Sequence, residues 1–403
     1  MGQKTMVFLI DGCADEPLAE LGGKTPLEYV DTPYMDRIAA NGASGTLLTL
    51  PEGFPTSSDA ANMSVLGFDL AKYYTGRGAL EALSQGIDLQ PTDVAFRCNL
   101  VDADGDTLVD YSGGHVEHED AVKLTAALAA EFNCAEYSFH PGISFRSLLV
   151  LHGEQFTDEV EYEKPDDHPG GHIPDLLPRG VPGNAASERT AAVLRDLMAR
   201  TRSFLEAQPY NAARSAERAN AIWPWSPGRR PAMRPFVETY GCRGAMVSEV
   251  DVIFGIGAAA GMSLYRVEGT TAYIDTNYEG MADAAIEAMA SHEFVYLHVE
   301  AADETGHMGR LDLKLQAIGD IENRMIKRVM DALGEEGMTY AVLPDHPVPV
   351  HMRKHTRTPV PVSIWGPHIT PDGIQHYSEQ LAPGGGLGHM VGDEFMRRAL
   401  NLS

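Results

Sequence analysis

The sequence predicts an α/β protein with a mainly parallel sheet and one inserted, smaller α+β domain. Short apolar runs without alternation, such as the run before Asp11, are typical of strands buried on both faces. In both terminal portions these runs alternate with stretches of helical spacing, whereas the middle portion contains clustered strands. We therefore assign residues 1–81 and 181–403 to the sheet core and residues 82–180 to the insertion.

The first portion of the chain predicts a strand–helix–strand–helix order. A buried strand at Met6–Ile10 ends at an Asp-Gly pair. Thr32–Asn41 has helical spacing, with a proline near its start and a glycine just past its end. Gly45–Thr49 is a second predicted strand, and Ser58 or Asp59 is a suitable cap for the helix that follows.

The middle and last portions predict different arrangements of elements. In the middle we expect strands at 94–101, 107–111, 137–139 and 144–152 and a helix at 119–132. Afterwards we expect helices at 187–208, 249–257, 281–291 and 313–333, and strands at 244–247, 294–299, 340–343 and 360–365. The renewed alternation indicates a return to the sheet core.

The chain is strongly acidic, with 57 Asp and Glu against 31 Lys and Arg and a net charge of −26. Such a surface repels nucleic acid and anionic membranes, so we expect neither as a partner. No apolar stretch approaches the ~18 residues of a membrane-spanning helix. The four cysteines are scattered without CxxC spacing, which favours free thiols and a cytoplasmic protein.

Residues of metal-ligand type follow several of the predicted strands. Asp11 ends the first strand, Asp303 and His307 follow FVYLHVE, and Asp345 and His346 follow AVLP. Asp303 and His307 have the i, i+4 spacing that brings two side chains to one face of a helix. Open α/β sheets present ligands outside the carboxyl ends of their strands, so these residues predict a divalent-metal site.

Each of these segments also has an interpretation without a metal. Asp11 is compatible with a simple turn, the Asp345-His346 pair with a buried hydrogen bond, and His355 with a surface loop. Their shared position at strand ends favours the metal site. Ser58 is compatible with a helix cap and with a metal-activated nucleophile, and the two roles do not conflict.

Long, discontinuous segments of the chain resemble one known family. They include VFLIDGCADEPLAELGGKTPLEYVDTPYMDRIAANG, PTSSDAANMSVLGFDLAKYYTGRGALEAL, HVEAADETGHMG and LPDHPVPVHMRKHTRTPVPVSIWGP. The resemblance is to the cofactor-independent phosphoglycerate mutases of the archaeal type, within the alkaline phosphatase superfamily. It implies an alkaline-phosphatase-like core and interconversion of 3-phosphoglycerate and 2-phosphoglycerate through a phosphoserine. The alternative is another metal-dependent phosphotransferase or phosphatase of this superfamily, such as a homoserine kinase-like enzyme or a phosphonate hydrolase.

The resemblance also implies a division of the ligands between two divalent ions, with Mn²⁺ first and Mg²⁺, Zn²⁺ or Co²⁺ as alternatives. One ion would be held by Asp303, His307 and His355. The other would be held by Asp11, Asp345 and His346 together with the nucleophile Ser58, although the adjacent Ser57 stays open as an alternative. The expected partner is a small phosphorylated substrate. The sequence makes no prediction of oligomeric state.

The insertion would cap the core and supply positive charge for the substrate. Arg77, Arg97 and Arg146 lie in segments that resemble the family, and the last two interrupt apolar strands. A single arginine is more often a surface or salt-bridge residue, and the position of Arg97 and Arg146 in apolar strands favours these two for the substrate. Further candidates are Arg230, next to Arg229 in WSPGRRP, and the Asp167-His168 pair in PDDHPGGH, a spelling that departs from the family pattern. Met281 is a second departure, where relatives would have lysine.

Overall fold

The computed structural model describes residues 3–402. Its strands are β1 Lys4–Ile10, β2 Ala43–Leu47, β3 Val94–Asp104, β4 Thr107–Asp110, β5 Tyr137–Ile143, β6 Arg146–Leu151, β7 Val160–Glu161, β8 Arg179–Gly180, β9 Ala221–Gly228, β10 Gly244–Val247, β11 Ser263–Tyr265, β12 Phe294–Val299, β13 Met338–Leu343, β14 Val360–Trp365 and β15 Gly388–Met390.

Sixteen α-helices accompany them within the described residues. They are α1 Pro26–Tyr29, α2 Pro33–Asn41, α3 Ser58–Val65, α4 Leu70–Tyr73, α5 Arg77–Ser84, α6 His118–Phe132, α7 Ile173–Leu176, α8 Ala185–Glu206, α9 Pro209–Ala212, α10 Phe236–Tyr240, α11 Asp251–Ala259, α12 Tyr278–Ser291, α13 Ala301–His307, α14 Leu311–Asp320, α15 Lys327–Leu333 and α16 Glu394–Ala399. A π-helical turn at Ile321–Ile326 joins α14 to α15. None of the helices in the described chain is long and apolar enough to cross a membrane.

Two compact units divide the chain. Unit 1 comprises the residues up to Tyr74 and from Ala232 onwards, and unit 2 comprises Thr75–Pro231. Unit 1 contains an eight-stranded sheet in the order β11-β10-β12-β1-β13-β14-β2-β15. Only β14 runs antiparallel to its neighbours in that sheet, so the predicted mainly parallel α/β fold is confirmed.

The central strands of unit 1 are apolar along their whole length because both faces are covered. Met6, Phe8 and Ile10 of β1 share a core cluster with Val295 and Leu297 of β12. Residues two apart on a strand point to the same face. The even-numbered residues of β12, between these apolar ones, therefore point to the opposite face of the sheet.

Unit 2 is an α+β unit built on an antiparallel sheet. Strand β3 pairs with β4, β6 and β9, and β6 also pairs with β5. Leu124 and Leu128 of α6 and Leu194 and Leu197 of α8 lie in the same apolar cluster as the β3 side chain Phe96. This unit contains the strands and the helix that the sequence predicted for the middle portion.

The boundaries of unit 2 are wider than the predicted 82–180. Strand β9, which the sequence analysis did not predict, pairs with β3 over most of its length and so extends the unit to Pro231. Helix α8 had been assigned to the sheet core because its spacing is helical, but its leucines are buried against the sheet of unit 2. At the other boundary, Gly78 of α5 allows a close approach, since a Cβ there would lie 2.4 Å from the carbonyl oxygen of Ala95.

Candidate metal centre

The ligand-type residues of unit 1 converge because three adjacent parallel strands end at the same edge of the sheet. Strands β12, β1 and β13 lie side by side in that order, and all three run in the same direction. Asp11 follows β1, Asp303 lies on α13 directly after β12, and Asp345 follows β13. Gly12 has a φ of 62°, and a Cβ there would lie 2.6 Å from the Cα of Asp303. Glycine is therefore required for this convergence.

The first group of ligands consists of Asp303, His307 and His355. The Nε2 atoms of the two histidines are 2.8 Å apart, and they lie 3.4 and 3.5 Å from the Asp303 carboxylate oxygens. His307 Nδ1 is 3.0 Å from the carbonyl oxygen of Arg353, and His355 Nδ1 is 3.0 Å from that of Thr56. A carbonyl oxygen only accepts, so both Nδ1 atoms donate. In the neutral form of both rings the two Nε2 lone pairs would face each other, an arrangement that a cation would stabilise.

The second group consists of Asp11, Asp345, His346 and Ser58. His346 Nε2 lies 3.6 Å from Asp11 Oδ1, 3.3 Å from Asp345 Oδ2 and 3.2 Å from Ser58 Oγ. His346 also stacks on His355 with ring centroids 3.7 Å apart, which joins the two groups. Ser58 is the first residue of α3, so its hydroxyl lies at the positive end of that helix.

Burial without compensating charge dominates the electrostatics of both groups. Burial, followed by repulsion from Asp345 and Glu300, raises the pKa of Asp11 well above its usual value. Burial likewise raises the pKa of Asp303 well above its usual value, that of Asp345 to about 6 and that of Glu300 to about 8. The pKa of His346 is far below its usual value, first because of burial and then because of the neighbouring histidines. Cations would favour the ionised carboxylates and the neutral imidazoles together.

The buried polar atoms of the centre that lack hydrogen-bond partners are suitable ligands for divalent cations. Among the described residues, the buried atoms Asp11 Oδ1, Asp303 Oδ1, Glu300 Oε2 and His346 Nδ1 have no hydrogen-bond partner. Asp303, His346 and His355, and likewise Asp11, Asp345 and His346, bring their ligand atoms within 4.8 Å of one another. Oxygen and imidazole donors without a thiolate suit Mn²⁺, Mg²⁺, Co²⁺ or Zn²⁺.

A buried lysine contacts two of the loops that carry these ligands. Lys314 Nζ lies 2.8 Å from Asp15 Oδ2 and 2.8 Å from the carbonyl oxygen of Val348. Asp15 Oδ2 also accepts from the Val350 amide at 3.0 Å. The loops that follow β1 and β13 are therefore held by one fully buried ion pair.

Unit 2 contains an arginine group around one buried guanidinium. Arg97 of β3 is 7% exposed, and its Nε lies 3.1 Å from Glu81 Oε2. Its guanidinium also lies over the Trp225 ring at 4.4 Å. Arg77 Nε is 3.1 Å from Glu81 Oε1. Burial first, opposed by Glu81 and assisted by Arg77 and Arg146, lowers the pKa of Arg97 to about 10.

Comparison with known proteins identifies the family of this chain. A family model described as 2,3-bisphosphoglycerate-independent phosphoglycerate mutase matches residues 39–211. A protein of Methanosarcina acetivorans named 2,3-bisphosphoglycerate-independent phosphoglycerate mutase is 42% identical over 391 residues, which is 96% of each chain. The chain belongs to this mutase family.

Solved structures agree with the family and with its fold. A protein of Pyrococcus horikoshii superposes with a TM-score of 0.85 at 28% identity, covering 100% of this chain and 98% of that one. A cofactor-independent phosphoglycerate mutase of Thermoplasma acidophilum gives a TM-score of 0.70 at 25% identity, covering 98% and 100%. The α/β core with an insertion that the resemblance implied is therefore confirmed.

The remaining residues predicted to bind the substrate differ from Arg97 in their exposure and in their partners. Arg230 is 45% exposed and contacts the exposed Asp88 at 3.4 Å. His168 pairs with Glu163 at 3.0 Å, and Asp167 is exposed. Asp166, which the sequence analysis did not single out, is a second acidic neighbour of Arg97 after Glu81, and its charge opposes the lowering of the Arg97 pKa by burial.

The sequence analysis also did not identify three side chains near the metal centre as site residues. His298, Tyr296 and Asn62 are fully buried and hydrogen-bonded to ligand residues or to their partners. The signal in the sequence was the presence of Tyr and His in an apolar strand, FVYLHV, where a buried polar group needs a partner. Met281 packs in the core of unit 1, which explains an apolar residue at that position.

Proposed function

We propose that this chain interconverts 3-phosphoglycerate and 2-phosphoglycerate without 2,3-bisphosphoglycerate, through a phosphoserine at Ser58. One observation carries the proposal: the Ser58 hydroxyl lies at the start of α3, 3.2 Å from His346, among ligand atoms that lack partners. The names of the relatives support the substrate. The four unbridged cysteines support a reducing compartment such as the cytoplasm.

Two divalent cations, preferably Mn²⁺, belong to this proposal. Asp303, His307 and His355 would hold one, and Asp11, Asp345 and His346 would hold the other together with Ser58. Bound there, they would lower the pKa of the serine hydroxyl and withdraw charge from the phosphoryl oxygens.

Ser58 Oγ forms a bond to phosphorus while the bond from phosphorus to O3 of the glycerate breaks. The serine proton balances the charge on the departing oxygen. O2 of the same glycerate then forms a bond to phosphorus while the bond from phosphorus to Ser58 Oγ breaks, and the O2 proton passes to the serine oxygen. The backbone amides at the start of α3 donate to a phosphoserine at this position, and the helix dipole favours its negative charge.

The arginine group of unit 2 supplies positive charge for the substrate in this proposal. Arg97 is held in one orientation by Glu81 and the Trp225 ring, so little side-chain freedom is lost when it binds an anion. Arg77 and Arg146 add charge next to it. Guanidinium groups bind carboxylate and phosphate through paired hydrogen bonds, and both anions are present in phosphoglycerate. Retention of the glycerate distinguishes a mutase from a phosphatase.

The test is to incubate the purified protein with 3-phosphoglycerate and Mn²⁺ and to follow products by ³¹P NMR. We expect 2-phosphoglycerate without added bisphosphoglycerate and little free phosphate. Ser58→Ala should abolish the reaction, whereas the neighbouring Ser57→Ala should retain most of it. Undiminished activity in Ser58→Ala would disprove the assigned nucleophile. Free phosphate as the main product would instead favour a phosphatase with the same metal centre.

A further inference from the structure

Strand β12 carries two buried hydrogen-bond donors on the face opposite the main core of unit 1. Tyr296 and His298 are two residues apart and fully buried. The apolar residues between and beside them, Val295, Leu297 and Val299, belong to the core cluster on the other face. Tyr296 contacts Asn62, which bonds the proposed ligand Asp345. His298 contacts the carboxylate of the proposed ligand Asp11.

Tyr296 controls the orientation of Asn62. The Tyr296 hydroxyl lies 2.6 Å from Asn62 Oδ1. Asn62 Nδ2 lies 2.8 Å from the carbonyl oxygen of Ser58 and 2.9 Å from Asp345 Oδ2. Both of these oxygens accept hydrogen bonds, so the amide has only one orientation that satisfies all three contacts. The side chain of Asn62 thereby joins the nucleophile to a ligand carboxylate.

His298 controls the orientation of Asp11 in a similar way. Ser248 Oγ accepts from the Val250 amide at 3.1 Å and lies 3.1 Å from His298 Nδ1. An ionised Asp11 carboxylate only accepts, so the proton of the neutral His298 ring resides on Nε2, and Nδ1 accepts from the Ser248 hydroxyl. Nε2 donates to Asp11 Oδ2 at 3.0 Å. One oxygen of Asp11 is thus occupied, and Oδ1 faces His346.

We propose that Tyr296 and His298 are positioning residues, which fix Asn62 and Asp11 so that Ser58 and the second ligand group are held ready for their cation. Neither residue is itself assigned a bond to the substrate or to an ion. Hydrogen bonds that orient ligands typically contribute a factor of about 10–100 in metal affinity. The inference rests on the proposed function for the cation sites and for its kinetic consequence.

The experiment compares Tyr296→Phe with Tyr377→Phe. Tyr377 is also buried in unit 1, and its hydroxyl donates to the carbonyl oxygen of Pro361 at 3.0 Å, which is not a proposed ligand. Each variant loses one buried hydroxyl and one hydrogen bond. Mn²⁺ binding to the metal-stripped proteins is measured by titration calorimetry, together with kcat and KM for 3-phosphoglycerate.

We expect Tyr296→Phe to weaken one of two Mn²⁺ sites by about 10-fold or more and to lower kcat with KM unchanged, whereas Tyr377→Phe leaves both sites intact. Equal Mn²⁺ affinity in Tyr296→Phe and wild type would overturn the proposal, as would equal weakening in both variants. If Tyr296→Phe does not fold, Ser248→Ala against Ser363→Ala makes the same contrast. Ser363 is likewise buried, and its hydroxyl forms a hydrogen bond with Ser44 Oγ at 2.7 Å.

The binding readout separates this proposal from the proposed function. If wild type does not interconvert the phosphoglycerates but the Mn²⁺ contrast is observed, the positioning roles stand and the mutase proposal fails. If wild type is an active mutase and the contrast is absent, the positioning roles alone fail.

Discussion

The two units bury charge in opposite ways. Unit 1 places Asp11, Glu300, Asp303 and Asp345 close together, and burial raises the pKa of each. Unit 2 buries Arg97 with a carboxylate, Glu81, at 3.1 Å and an aromatic ring over its face. A buried charge with a partner of opposite charge needs no ligand to be stable. A buried cluster of like charges instead lowers the stability of the fold until a ligand of opposite charge binds. The difference favours cation binding in unit 1, whereas anion binding by the arginines of unit 2 is part of the proposed function.

The largest effect is expected from removing one charge of the uncompensated cluster. Asp303→Asn should lower Mn²⁺-dependent mutase activity about 10³-fold, since a cation contributes several kcal/mol to phosphoryl transfer. The same change should raise the melting temperature of the metal-stripped protein, because a buried carboxyl repelled by Glu300 and Asp345 is lost. Activity assays and thermal unfolding in EDTA measure both. Glu304→Gln, exposed on the same helix, is the control and should change stability less. A lower melting temperature for Asp303→Asn would contradict this account.

The second prediction concerns Lys314, a buried cation whose charge opposes the raising of the Asp303 pKa by burial. Lys314→Met should destabilise the protein by about 3–5 kcal/mol in urea unfolding, because Asp15 is left buried and unpaired. Arg310→Met breaks the exposed Arg310–Asp312 pair and should cost less than about 1 kcal/mol. Similar losses in the two variants would show that burial of the pair is unimportant.

The third prediction tests the assignment of anion binding to unit 2. Arg97→Met should raise KM for 3-phosphoglycerate roughly 100-fold, since hydrogen bonds to charged groups contribute about 1.5–3 kcal/mol. Arg230→Met removes an exposed guanidinium whose partner is the exposed Asp88, and it should leave KM within about twofold. Steady-state kinetics decides between them. An unchanged KM in Arg97→Met would remove this residue from substrate binding.

The smallest effect comes from a buried carboxyl of unit 1 that does have partners. Glu322 accepts from the amides of Tyr34 and Met35 at the start of α2, yet burial raises its pKa to about 7. The folded state therefore holds a proton that the unfolded state has released, and stability falls as pH rises. Between pH 5 and pH 7 this group should contribute a loss of about 2 kcal/mol. Denaturant unfolding at both pH values, with wild type and Glu322→Gln, measures it. An equally steep pH dependence in the variant would refute the assignment to Glu322.

Much of the fold followed from local patterns. The apolar runs before Asp11, Asp303 and Asp345 predicted the strands that became β1, β12 and β13, because strands buried on both faces have no alternation. The ligand types at their ends predicted the convergence, since parallel neighbours end at one edge. The predicted boundary at residue 180 differs from the end of unit 2 because helical spacing in α8 shows that a face is buried, but not which sheet buries it.

The sequence by itself determined the type of sheet, the central strands and the candidate metal-ligand side chains, because each of these depends on residues close together in the chain. Only the tertiary structure decided that β9 joins unit 2, that Arg230 lies against Asp88, and that Tyr296 and His298 orient Asn62 and Asp11. Those contacts join residues that are far apart in sequence. Such a hydrogen bond produces no periodic pattern in the sequence, because it forms only when the strands pair in register.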